Sequence, residues 1–138
     1  MAFGHGKTAV FKLADSGATL RDLSSYLDNL NMPRSIDAND TTTFGVTGGA
    51  KTFIVGLNEA KVSGSGKFDI VADGYLNGVL GQSTLLAFEY GPLGSTAGMR
   101  KFTGTCMLTS YDIKSSVNDV VAASIEFQIS GPVTPTTW

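Results

Sequence analysis

Asp69-Ile-Val-Ala-Asp-Gly-Tyr-Leu-Asn-Gly-Val-Leu-Gly81 carries the one persuasive helical pattern in the chain. Val71, Tyr75 and Val79 stand four apart, and so do Ala72, Leu76 and Leu80. Together they make one apolar face about two turns long. Asp69 or Asp73 offers a carboxylate to the free N–H groups of the first turn. Gly81 suits the left-handed position that ends a helix. Gly74 and Gly78 share the other side, each costing about 1 kcal/mol against Ala. They leave a weak solvent face or admit another backbone. The flanking chain reads as strand and turn, so this helix is expected to plug a β structure.

Upstream of the helix, residues 60–68 and 52–57 read as two strands, with Asn58 and Glu59 between them. Ser63-Gly-Ser-Gly66 lies inside the first of these, and with Val62 and Phe68 around it the segment is a glycine-bent strand. Residues 34–45 are polar, rich in Asp, Asn and Thr, and lack a hydrophobic period. Asp37 to Asp40 reads as a turn, and Thr41-Thr-Thr-Phe44 has strand propensity. Such a segment is expected to project as a hairpin arm, ordered by a partner or disordered. Residues 20–32 are ambiguous: Leu20, Leu23, Leu27 and Leu30 have helical spacing, but Asn29, Asn31 and Pro33 oppose a helix. A helical turn over 20–24 followed by an extended segment is the better reading. Residues 8–13 open the fold as a strand with Ala9, Phe11 and Leu13 inward.

Downstream, residues 83–90 form a strand, and residues 91–95 a loop. Residues 100–113 form a long strand. Phe102, Gly104, Cys106 and Leu108 share one face of it, and Thr103, Met107 and Tyr111 the other. Residues 120–130 alternate strictly: Val121, Ala123, Ile125, Phe127 and Ile129 face inward, while Glu126 and Gln128 face water or a partner. Pro132 and Pro135 are expected to end the order, with Trp138 closing the tail. About seven strands, one helix and no βαβ rhythm indicate a mainly β fold, an antiparallel β-sandwich or barrel with one packed α-helix.

Composition narrows the function. The 138 residues suit one domain. Net charge is −2, from 12 acidic and 10 scattered basic residues, so there is no basic footprint for tight duplex binding. Glycine, at 17 residues, is about 12% against a usual ~7%, which favours turns between strands. Cys106 is the only cysteine, a buried strand hydrophobe that allows no intramolecular disulfide or cysteine metal cluster. The N-terminus has no apolar run of a signal peptide, and no segment approaches the ~20 apolar residues of a membrane span. The chain is expected to stay in the cytoplasm unless a larger assembly carries it out.

Catalytic constellations are missing. His5 is the only histidine and sits near the terminus, without the folded setting beside a nucleophile that a triad needs. Asp37, Asp40, Asp69 and Asp73 are explained by turns and capping, and Asp37 to Asp40 does not match a calcium loop. Gly4-His-Gly-Lys-Thr8 lacks the strand and the first glycine of a phosphate-binding loop. No catalytic, cofactor or metal residue is therefore assigned.

Several stretches in order then carry a resemblance: Asp40-Thr-Thr-Thr-Phe-Gly45, Lys51-Thr-Phe-Ile-Val-Gly-Leu57, Val62-Ser-Gly-Ser-Gly-Lys-Phe-Asp69, Gly91-Pro-Leu-Gly-Ser95, and Asn118-Asp-Val-Val-Ala-Ala-Ser-Ile-Glu-Phe-Gln-Ile-Ser-Gly131. Their set resembles the major tail tube proteins of long-tailed (siphovirus-type) bacteriophages, over residues 6–133. The resemblance implies a single tail-tube domain, residues 1–138, with a projecting loop at about 33–50 and flexible termini. It implies a structural virion protein, not an enzyme, with no cofactor. Hexameric rings would stack into the hollow tail tube, the conduit for DNA ejection, most simply in a non-contractile tail. Implied partners are other copies of the chain, the tape measure protein, the tail terminator and distal tail proteins. Phage DNA passes without sequence-specific binding, and no membrane is involved. Localisation would be the virion tail, after assembly in the host cytoplasm. By position, Arg34, Asp37, Asp40, Thr42 and Phe44 would make inter-ring contacts. Glu126 and Gln128 would face the lumen, against a plain solvated face for Glu126. An adhesive or receptor-binding β-sandwich of a tail is the second reading, and a small hydrolase the third, disfavoured by composition.

Overall fold

The computed structural model describes residues 3–138, so Met1 and Ala2 of the expected domain lie outside it. Eight strands and one α-helix follow in chain order: β1 (Val10–Ala14), β2 (Leu20–Asp22), β3 (Leu27–Asn31), β4 (Arg34–Asp40), β5 (Phe53–Lys67), α1 (Ile70–Val79), β6 (Leu86–Gly91), β7 (Arg100–Lys114) and β8 (Ala122–Thr137). The strands form a curled antiparallel sheet, half of a barrel, in the order β2-β1-β6-β7-β8-β5-β3, with β4 paired to β5 off that path. β2 and β3 therefore end the sheet with unpaired borders.

Alternation explains the core. Phe11 and Leu13 of β1, Leu86 and Phe88 of β6, Cys106 and Leu108 of β7, Val62 of β5, and Ile125, Phe127 and Ile129 of β8 are buried on one face. The rings of Phe11, Phe88 and Phe127 pack together, with Phe11 centroids 6.3 and 5.8 Å from the other two. Helix α1 covers this face with Ala72, Leu76 and Val79. Val71 and Leu80, expected in the same stripe, are half exposed, so the buried column is narrower than the pattern predicts. Asp69, not Asp73, caps the helix by accepting from the N–H groups of Val71 and Ala72. Asp73 instead accepts from the Tyr111 hydroxyl at 2.6 Å and the Asn77 amide at 2.8 Å, tying α1 to β7.

Pairing overrides local propensity in several places. Residues 52–57 and 60–68, expected as two strands, are not two: Asn58 and Glu59 pair with Ile36 and Ser35, and β5 runs unbroken from Phe53 to Lys67. No Gly or Pro sits at residues 58–59 to force a turn there. What changes midway is the partner, from β4 to β8 and β3. The expected turn at Asp37 to Asp40 is strand, because Phe53, Ile54 and Val55 give it a partner. The threonine run, expected as strand, is the loop that follows. The helical turn expected over 20–24 lies at Ser24–Tyr26 as a 3₁₀ turn, with Leu20–Asp22 in β2 and the extended segment in β3. A bulge between Leu108 and Ser110 reverses the faces beyond it, which puts Tyr111 on the helix side and not opposite Cys106. The first three residues of 83–90 precede β6.

Residues 131–137, expected outside the ordered part, continue β8 against β7. β5 leaves β8 after Gln128, so the other border of this stretch is open and accommodates Pro132 and Pro135. Trp138 is tied back by its N–H to the Met99 carbonyl and by its carbonyl from the Gly98 N–H.

Two glycines make opposite predictions for one chemical change. A Cβ on Gly66 would meet the backbone of β3, with Leu27 Cα at 2.7 Å and the Tyr26 carbonyl nearer still. Gly74, within α1, faces open space. Gly66→Ala will destabilise by about 1–3 kcal/mol through overpacking, and Gly74→Ala will stabilise by up to about 1 kcal/mol. Urea midpoints of the dispersed subunit read both; equal effects of the two would contradict this packing of β3 on β5.

Candidate assembly surface

The arm is β4 paired to the first half of β5, residues 53–60, joined by the loop 41–52. Its β5 side reads Phe53-Ile-Val-Gly-Leu57, an apolar run without alternation. Such a run is the pattern of a strand covered on both faces. In the single chain neither face is covered: Val55 is 80% and Leu57 82% exposed, and Phe53, Ile54 and Ile36 are more than half exposed. The arm expected to be polar is thus half apolar. The signal is present in residues 53–57, within the 52–57 stretch that the sequence alone reads as a strand separate from the arm.

The residues expected at ring-to-ring contacts divide by what they already do. Arg34 lies at the arm's root, its guanidinium 5.2 Å from the Phe102 ring of β7, so it fixes the arm to the body. Asp37 is exposed beside a bulge, where Gly56 gives room for it. Asp40 ends β4 and accepts from the Thr42 N–H at 2.8 Å. Hydrogen bonds from the Thr42 side chain and then its backbone hold the Asp40 carboxyl below the usual carboxylate range. The Thr42 hydroxyl accepts from the Thr52 N–H at 2.9 Å, and the Thr41 N–H donates to the Thr52 carbonyl at 2.8 Å. These threonines clamp the loop's base. Phe44, wholly exposed at its tip, has no partner described within the chain.

Glu126 and Gln128 lie on the sheet face opposite the core, as alternation predicts. Gln128 is half-buried and donates to the Ala60 carbonyl at 3.0 Å, clipping β8 to β5 where they part. Glu126 pairs loosely with Lys61 at 3.9 Å. Ser63 and Ser124 share this face with them. Lys101 pairs with Glu89 at 3.5 Å, and the ammonium groups of Lys12 and Lys101 sit 5.2 and 4.8 Å from the Trp138 ring. The Lys61–Glu126 pair is exposed and contributes little stability, whereas the Lys101 and Glu89 side chains are only 20% exposed. The effect of these pairs is to leave the face nearly neutral.

Chemistry elsewhere is sparse. Among the described residues no group of three or more His, Cys, Asp and Glu could hold a metal ion. His5 accepts from the Lys7 N–H and is exposed. Burial pushes the Cys106 thiol up to about 12, so it stays protonated and inert at neutral pH. Among the described residues no helix is long and apolar enough to cross a membrane.

Comparison with known proteins places this geometry. The family model described as phage tail tube protein matches residues 5–135. No curated protein matches the chain in sequence. The fold is similar to the tail of an empty gene transfer agent particle refined with C6 symmetry, at a TM-score of 0.84 and 19% identity over 98% of this chain and 100% of that one. It is also similar to the SPP1 tail tube, at 0.73 and 11% identity over 99% and 80%. A third likeness is to the sheath–tube complex of an extracellular contractile injection system, at 0.67 and 9% identity over 99% and 93%.

Proposed function

The chain belongs to the phage tail tube protein family, and from that membership we propose that its copies close into hexameric rings that stack as the hollow conduit of a phage tail. The carrying observation is the run Phe53-Ile-Val-Gly-Leu57, patterned for burial on both faces and exposed on both. An apolar surface of this kind marks a contact site. The unpaired borders of β2 and β3 add to it, because ring closure is the way a curled sheet loses its edges.

In this proposal the whole chain acts as one tail-tube domain in the virion tail, after assembly in the host cytoplasm. The arm, rather than the loop at about 33–50 alone, reaches the adjoining ring. The sheet face bearing Glu126 and Gln128 turns to the channel. Its matched charges favour that orientation: DNA slides past a wall with few free cations, since each unpaired lysine would add an ion-paired, salt-sensitive contact. The tape measure protein, the tail terminator and distal tail proteins are the partners of such a tube. The role is structural, with no catalysis.

Purified protein raised in concentration will pass from dispersed subunits to rings and hollow tubes, read by sedimentation and negative-stain electron microscopy. A monomer at every concentration, with specific glycan or receptor binding, would instead establish the adhesive reading.

A further inference from the structure

Stacking needs a second surface. If arms met arms, the contact would be self-complementary and would join two rings and stop. An open stack whose rings all point the same way requires a head-to-tail contact between two different patches of the same chain. β5 carries the arm at its Phe53 end, while its other end, Lys67, pairs with Ala122, which pairs with Lys114. The turn between β7 and β8, residues 115–121, therefore lies at the end of the sheet opposite the arm.

That end is apolar. Val117 is wholly exposed, the most exposed large apolar side chain described outside the arm. Val120 and Ile113 flank it, also exposed. The Phe68 N–H donates to the Val121 carbonyl at 2.9 Å, which seats the start of α1 beside the turn. There Ile70 is 78% exposed. Charge is complementary as well. The arm's loop 41–52 carries a single charged residue, Lys51. The opposite end carries Asp69, Asp112 and Asp119 against Lys114, and Lys67 there is paired with Asp28 at 3.4 Å.

We infer that the β7–β8 turn and the start of α1 are the seat for the arm of a copy in the next ring, with Lys51 of one copy near Asp119 of the other. This rests on the tube reading above. Phe44 and the apolar side of β5 then meet Val117, Val120 and Ile70, and each ring offers an arm at one end and a seat at the other.

Charge reversal tests the pairing. Both side chains are exposed, so the dispersed subunit of each variant will melt like the parent. Lys51→Glu and Asp119→Lys will each raise the concentration needed for tube growth by about tenfold or more, since like charges then face each other across the contact. The double variant will return towards the parent value. Singles that assemble like the parent, or a double no better than the worse single, would overturn the seat while leaving the tube reading intact. A parent that forms no tubes would overturn both.

Discussion

Replacing residues 41–52 with Asn-Gly will leave a folded, dispersed subunit that no longer grows into tubes. Asp40 and Phe53 face each other in register, and two residues in a type I′ turn are the shortest hairpin closure that matches strand twist. No described residue of the buried core lies in the excised loop. What is lost within the chain is the threonine clamp among Thr41, Thr42 and Thr52, which serves only the loop itself. What is lost between chains is Phe44 and Lys51. Far-UV circular dichroism and the melting temperature of the dispersed subunit will stay near the parent's. Electron micrographs will show no tubes at concentrations where the parent is fully assembled. Tubes of ordinary appearance would remove the loop from any role in stacking.

Phe127→Ala will cost about 3–5 kcal/mol, the range for truncating a buried aromatic without collapse of the site. Phe127 is 0% exposed and packs on Phe11 at the centre of the core. Against a usual total of about 5–15 kcal/mol, that is a large share of a domain's stability. Glu126→Ala, one residue away on the opposite face, will stay within about 0.5 kcal/mol, because its contact with Lys61 is loose and solvated. Both must be measured on dispersed subunits by urea unfolding, since assembly stabilises whatever it binds. Equal costs would mean that the sheet faces are assigned the wrong way round.

Period was the legible part of this chain. The alternation of Ile125, Phe127 and Ile129 located the core face of β8, and the spacing from Ala72 to Val79 located α1. Partners were not legible. Residues 53–57 announced a strand covered on both sides, but a linear pattern does not say whether the cover comes from the same chain. Asp37 to Asp40 has turn chemistry and becomes strand because Phe53 to Val55 lies opposite. The bulge after Leu108 leaves no compositional mark, so simple alternation puts Tyr111 on the face away from α1 and hides its bond to Asp73. Pro132 and Pro135 look like terminators until the open border beside β8 is known.

Of the expected contact residues, Phe44 remains free for a neighbour, whereas Arg34, Asp40 and Thr42 are already engaged in holding the arm's own shape. Gln128 is engaged in the same way between β8 and β5. Position along the chain alone does not distinguish a group that builds a surface from one that is used across it.

A helical cryo-electron microscopy reconstruction of tubes grown from this chain tests the central claim most directly. It should show hexameric layers in which the sheet borders at β2 and β3 are joined to neighbouring copies and each arm is buried against the layer beyond. A filament whose subunits keep those borders bare and hold residues 53–57 in solvent would contradict it.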